Sequence, residues 1–187
     1  MDERGLSHDV PLLRRRRMLG LSGGTTVAVL AGSLSCEAAA LVRSDIRRSF
    51  GTAKGVARGV PLTIDLRLAG AATGLPAAGL AVYLWHADRD GAYSLYSPGL
   101  TGENFLRGIQ TTDHDGRVVF SSVFPGNGLI HYEIYPSVAQ ATKATGLLLS
   151  GRLPLQASPA YAYEGGAFGV VPSSVQGGPK VALTLGV

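Results

Sequence analysis

The chain has 187 residues, with 26 glycines, 10 prolines, one cysteine and a formal net charge of +4. That length favours a single domain, and one cysteine excludes an internal disulfide. No Lys/Arg stripe interleaved with aromatics accompanies the basic balance, so it carries no nucleic-acid reading.

In chain order, the first signal is Arg14-Arg15-Arg16-Arg17, then Met18-Leu19, a mildly apolar Gly/Ser/Thr-rich run to Ala31, and the small residues Ala38-Ala39-Ala40. Basic, then apolar, then small is the layout of an export signal, and the apolar run is too short and too weakly apolar for a membrane span. Paired arginines just ahead of Met18-Leu19 resemble a twin-arginine signal; an ordinary secretory signal with extra arginines is the alternative. Cys36 sits where a lipoprotein's acylated cysteine would sit, although Ser33 makes the lipobox poor, and cleavage after Ala40 would instead remove it. Residues 1–40 are thus expected to be an export signal outside the fold. Residues 41–187 are expected to form one domain in the periplasm or outside the cell, with or without a lipid anchor.

Beyond residue 40 no stretch shows sustained helical periodicity, whereas strand signals recur. Leu62, Ile64, Leu66 and Leu68 alternate with Thr63, Asp65 and Arg67, which predicts a half-buried strand over Leu62–Leu68. Gly70–Gly79 reads as a small-residue loop around Pro76. Leu80–Trp85 is a continuous apolar run of strand length. Arg117–Ser122 follows the turn Asp113-His114-Asp115-Gly116, where Asp-x-x-Gly offers side-chain turn bonds and a position for positive φ. Leu129–Tyr135 alternates again, Ala141–Leu149 suits a short helix or strand, and Val181–Leu185 could close a sheet. Many short strands with Gly/Pro turns predict an all-β chain folded as a β-sandwich.

The chemistry-bearing residues lie between Ala81 and Pro136. On a strand over Leu129–Tyr135, His131 shares its face with Leu129, Glu133 and Tyr135, while Ile130, Tyr132 and Ile134 face the other way, into the core. Tyr93 and Tyr96 follow the turn Asp88-Arg89-Asp90-Gly91. Tyr and His are donors that a hard ferric ion accepts. The plain alternatives are a lone polar histidine at a sandwich end and two packed tyrosines. His86, ending an apolar strand, reads as a hydrogen-bonded structural imidazole, and His114 as a solvated turn residue. Arg107 and Gln110 could position a carboxylate or fix a loop, and the loop is the reading adopted. Nucleophile-elbow, P-loop, dinucleotide, HExxH and cysteine-zinc patterns are absent.

The block YLWHADRDGAYSLYSPGLTGENFLRGIQTTDHDGRVVFSSVFPG, continuing to IHYEIYP, together with LVRSDIR (Leu41–Arg47) and GVPLTIDLRL (Gly59–Leu68), resembles the intradiol ring-cleavage dioxygenases. The likeness is to the secreted bacterial branch akin to protocatechuate 3,4-dioxygenase beta subunits. It covers most of Leu41–Pro136 and implies a β-sandwich with a non-haem Fe(III) cofactor, held in the family by two tyrosinates and two histidines. It also implies a catechol-type substrate and O2 as partners, with the ring cut between the hydroxyl-bearing carbons. By position, Tyr93 falls on the first tyrosinate and His131 on the second histidine of His-x-His, so these two are the expected metal ligands. Leu129 stands where the first histidine should be. Gly126-Asn127-Gly128 replaces a loop that in the family carries the second tyrosine and an arginine, and a family glutamine aligns loosely with Gly151. The alternative is a non-catalytic secreted β-sandwich that binds a ligand on the same scaffold; a purely structural extracellular sandwich is a third reading.

Overall fold

In a computed structural model, residues 4–19, 39–155, 168–171 and 180–187 are described. Among the described residues, eight strands form two four-stranded sheets. The first sheet has the order β4 (Arg117–Val123), β1 (Pro61–Ala69), β8 (Lys180–Gly186), β7 (Phe168–Val171), and the second the order β3 (Arg107–Thr111), β2 (Ala81–His86), β5 (Leu129–Tyr135), β6 (Leu149–Pro154). Every pairing is antiparallel except β1 with β8, which is parallel. The β-sandwich expected from the sequence is the fold observed. The strands over 62–68, 80–85, 117–122, 129–135 and 181–185 lie where the periodicity places them. The 141–149 segment is mostly neither helix nor strand: a short helix, α2 (Val138–Ala141), ends where it starts and β6 begins where it ends. Alternation alone did not reveal β3, because Arg107-Gly108-Ile109-Gln110-Thr111 carries too few apolar residues to show a period.

The core lies between the sheets. Leu62, Ile64, Leu66 and Leu68 of β1 face Val82 and Leu84 of β2 and Ile130 and Ile134 of β5, with Val118 and Phe120 of β4 at the side. Each of those four β1 residues is at most 2% exposed, and in β5 the even positions do turn inward. A second apolar cluster forms on the outer face of the second sheet, around Ala81, Tyr83, Trp85, Ile109 and Tyr135. This explains why β2 reads as an unbroken apolar run: both its faces are covered.

Segment 41–46 straps the two sheets together. Val42 bridges Ile109 on one sheet edge and Asp45 bridges Ser121 on the other. The strap needs Gly108, because a Cβ there would meet Ile46 Cγ2 at 2.5 Å. Arg43 fixes it by donating to the Arg107 carbonyl through Nε at 2.9 Å and Nη2 at 2.6 Å.

The outer face of the second sheet is covered by α1 (Leu6–Leu19). Leu6, Val10 and Leu13 recur at i, i+4 and i+7, one face of a helix, and all three are buried against Tyr83, Trp85 and Tyr135. Asp9 lies on the same face and is 0% exposed. Residues 5–13 therefore pack on the sandwich, although the sequence reading set residues 1–40 outside it; the packed face precedes the arginine run. Cys36 and the apolar run to Ala31 lie outside the described residues. No helix among the described residues is long and apolar enough to cross a membrane.

Two consequences can be measured. His86 is fully buried, and burial lowers its pKa from 6.5 to about 4. The unfolded chain therefore takes up this proton first, so the stabilisation is complete above pH 6.5 and lost as pH falls towards about 4, amounting to roughly 3 kcal/mol at about 1.4 kcal/mol per unit. Denaturant unfolding across that range should show the loss, and a His86→Gln variant should flatten it; an unchanged slope would refute the assignment. In the second case, a Cβ on Gly126 would lie 2.1 Å from the Arg89 carbonyl oxygen. Gly126→Ala should destabilise the fold by about 1–3 kcal/mol, the usual cost of overpacking, and equal unfolding midpoints would exclude that close approach.

Candidate functional site

The site begins with the turn after β2. Asp88 Oδ1 accepts from the backbone N–H groups of Asp90 and Ala92, each at 2.9 Å, and Gly91 takes a φ of 81°. This places Tyr93, whose N–H donates to Ser97 Oγ at 2.8 Å. The β4–β5 turn packs directly against this loop: Gly126 N–H donates to the Asp88 carbonyl at 2.8 Å, in the close approach that only glycine permits. Asn127 follows. Its Oδ1 accepts from Leu129 N–H at 3.1 Å, and its Nδ2 donates to the Tyr93 phenol oxygen at 2.9 Å.

The Tyr93 phenol oxygen lies 3.1 Å from His131 Nε2, and both residues are buried, at 5% and 4% exposure. Because the Asn127 amide donates to the phenol oxygen, the phenol hydrogen is available to Nε2. One proton is shared between the phenol oxygen and Nε2, carried by either atom according to the ring tautomer. Trp85 stacks on the His131 ring with centroids 5.1 Å apart, and Tyr83 stacks on Trp85 at 5.2 Å. The pair fits a transition-metal ion as two donors. Ligand atoms about 2.0–2.2 Å from one ion, at right angles to each other, lie about 3 Å apart, which is the separation of the phenol oxygen and Nε2. Leu129 shares their side of β5 and offers no donor, and the Asn127 nitrogen is a hydrogen-bond donor rather than a ligand.

The other candidates go elsewhere. Tyr96 donates to Asp9 Oδ1 at 2.5 Å, and Tyr135 donates to Glu133 Oε2 at 2.8 Å. His86 lies on the inner face of β2, with Nδ1 at 2.6 Å from the Ala87 carbonyl and Nε2 at 2.6 Å from Ser122 Oγ, the structural role expected of it. Gly151 lies beneath the Tyr132 phenol on the inner face, since a Cβ there would meet its oxygen at 2.4 Å. His114 is exposed in the β3–β4 turn, where it lies with Asp113 and Asp115 within metal-ligating distance of one another. Asp113 Oδ1 there accepts from the N–H groups of Asp115 and Arg117 at 3.0 and 2.8 Å, which builds the turn. That turn adjoins the Ala81 end of the sheet, while His131 pairs with Trp85 at the other end.

Sequence reasoning missed two residues of the site. Asn127 looked like turn chemistry within Gly126-Asn127-Gly128. Arg152 pairs directly with His131 across β6 and so stands on the same outer face, where cross-strand Cβ atoms are about 4.5–5.5 Å apart. Only the strand register reveals it. Arg107 was read as fixing a loop. It does donate to the Ser94 carbonyl at 2.9 Å, but it also binds a carboxylate: Nη1 lies 2.5 Å from Asp9 Oδ2, with both side chains within 1% of full burial. Burial lowers the Arg107 pKa, and the adjacent Asp9 carboxylate and Tyr83 more than reverse this, leaving it above its ordinary value.

The chain matches the family described as Dioxygenase over residues 36–146. It is 37% identical over 62 residues to chlorocatechol 1,2-dioxygenase of Rhodococcus opacus, a match covering 33% of this chain and 23% of that protein. The match thus spans under a quarter of that relative's length. Among solved structures, the dioxygenase domain of a dioxygenase carbohydrate-binding protein fusion from Streptomyces sp. SirexAA-E is 25% identical, with TM-score 0.51, covering 78% of this chain and 88% of that one. The fold is shared with an intradiol ring-cleavage dioxygenase from Tetranychus urticae, 23% identical, with TM-score 0.57, covering 78% and 86% of the two chains. The family match takes in five of the sandwich's strands, β1 to β5, and the chain belongs to the intradiol ring-cleavage dioxygenases.

Proposed function

We propose that Tyr93 and His131 are ligands to ferric iron and that the protein cleaves a catecholic aromatic with O2 between its two hydroxyl-bearing carbons. The observation that carries this reading is the 3.1 Å separation of the two donor atoms, both on buried residues. Ferric iron, when bound, supplies the Lewis acidity and electron withdrawal that activate a catecholate towards O2. The chain's own residues do the rest. The proton shared between the Tyr93 oxygen and His131 Nε2 stands where an ion would bind, so metal uptake must release it. The Asn127 amide, donating to the phenol oxygen, makes a hydrogen bond that an ionised Tyr93 would keep. Trp85, stacked on His131, holds the imidazole plane and excludes water from one side. Arg152, across the strand pair from His131, brings a positive charge to the face on which an anionic substrate would lie. The amino-terminal pattern supports export as the protein's route, to the periplasm or beyond.

One observation favours a second reading. Leu129 occupies the His-x-His position with an apolar side chain on the outer face, leaving two protein donors where the family has more. On that reading the sandwich binds its aromatic ligand without turning it over.

Purified full-length protein loaded with ferric ion should hold about one iron per chain, show a visible tyrosinate-to-iron absorption band, and consume O2 with a catechol. Tyr93→Phe or His131→Ala should lower iron affinity by more than the roughly 10–100-fold that loss of a supporting partner typically costs. A colourless protein that stays inert after loading would refute the dioxygenase reading. Leu129→His, restoring a second imidazole two residues before His131, should raise iron affinity by about tenfold or more. Turnover that appears only in this variant would establish the binding-module reading.

A further inference from the structure

Beside the Tyr93–His131 pair, with Trp85 touching both, the outer face of the second sheet holds a second built site. Its centre is Arg107, 0% exposed on β3. The guanidinium is held by Ser94, through Nε to the hydroxyl at 3.1 Å and through Nη2 to the carbonyl at 2.9 Å. The Tyr96 ring lies 5.2 Å from its Cζ. The remaining nitrogen, Nη1, points to Asp9, whose Oδ2 also accepts the Tyr83 hydroxyl and whose Oδ1 accepts the Tyr96 hydroxyl. One carboxylate thus receives a guanidinium and two phenols, with Arg107, Asp9 and Tyr83 buried and Tyr96 half-buried at the edge. Such charge-assisted contacts are the strong ones, and a buried guanidinium left without its anion typically costs a few kcal/mol.

That carboxylate arrives on α1, from within the forty residues whose pattern is that of an export signal. Leu6, Val10 and Leu13 accompany it and fill the apolar surroundings formed by Tyr83 and Trp85. Trp85 Nε1 lies in the same aromatic wall and is the buried side-chain polar atom without a hydrogen-bond partner among the described residues. It is a donor still lacking an acceptor.

We propose that Arg107, Tyr83 and Tyr96 form a carboxylate-recognition site on the outer face of the second sheet, which Asp9 fills from within the chain and which a small aromatic carboxylic acid fills once the amino-terminal segment has been removed. The carboxylate takes the place of the Asp9 side chain. The ring takes the space of Leu6 and Val10 against Tyr83 and Trp85. Vacating this site exposes an unpaired cation and three aromatic rings, a surface suited to an aromatic acid and poorly suited to water alone.

The ligand's arrival rests on the proposal that residues 1–40 are removed at export; the recognition chemistry does not, and the two are tested separately. In the full-length chain, Asp9→Ala combined with Leu6→Ala and Val10→Ala removes the internal carboxylate and clears the space the ring would take, leaving the rest of α1 in place. Sodium benzoate should raise the melting temperature of this variant saturably, by several degrees, and acetate should do so at roughly tenfold higher concentration. Benzamide, and sodium chloride at equal ionic strength, should not. Wild-type protein should show no such shift, and adding Arg107→Leu to the variant should abolish it. Should that variant fail to fold, Asp9→Ala with Leu6→Ala alone takes its place in the same comparison. A shift equal in chloride or benzamide, a shift that survives Arg107→Leu, or no shift in either Asp9 variant overturns the proposal. Sequencing the amino terminus of the exported protein tests removal of the segment alone: a mature chain still carrying Asp9 would refute the ligand's access while leaving the site chemistry intact.

Discussion

A guanidinium shut away from water sets the organisation of this molecule's outer face. Arg107 begins β3 beneath α1, and a cation there is tolerated only with an anion and hydrogen-bond acceptors in place. The Ser94 carbonyl and hydroxyl meet two of its nitrogens, which ties the loop after β2 to the start of β3. Asp9 meets the third, which ties α1 to both. The same loop carries Tyr93. The position of the candidate metal ligand therefore follows from how a buried charge is neutralised a few residues away.

A second constraint is steric. The β4–β5 turn approaches the loop after β2 so closely that Gly126 has no room for a side chain. That contact brings Asn127 to the Tyr93 oxygen and sets the start of β5, two residues before His131. In this chain three residues, Gly126-Asn127-Gly128, do the positioning, and the donor they contribute is an amide N–H. Tyr93 and His131 are thereby held together, and the turn adds a hydrogen-bond donor to the pair.

Much of the sandwich was legible because burial imposes a period. Leu62, Ile64, Leu66 and Leu68 alternate because one face of β1 meets the core, and Ile130, Tyr132 and Ile134 do so in β5. Strand β3 was not legible: its buried residues are an arginine, a glycine and an isoleucine, and only pairing with β2 makes them a strand. Tyr93 and His131 were identified through the family likeness, since spacing alone cannot bring residues 38 apart together. Arg152 could not be found from spacing either, because its nearness to His131 is a matter of register between strands. The face of α1 was present in the sequence as Leu6, Val10 and Leu13. It was overlooked because the arginine run that follows draws attention to targeting rather than packing.

The parallel pairing of β1 with β8 has its own implication for how the chain reaches this state. Residues near 65 lie beside residues near 182, with β8 wedged between β1 and β7. Closing so long a loop is entropically slow, and topologies dominated by such distant contacts fold slowly. Until the last strand arrives, one side of β1 is an open row of backbone donors and acceptors, a template for joining another chain. A nascent chain of this design is vulnerable throughout synthesis, which favours chaperone shielding of that bare edge until β8 is in place.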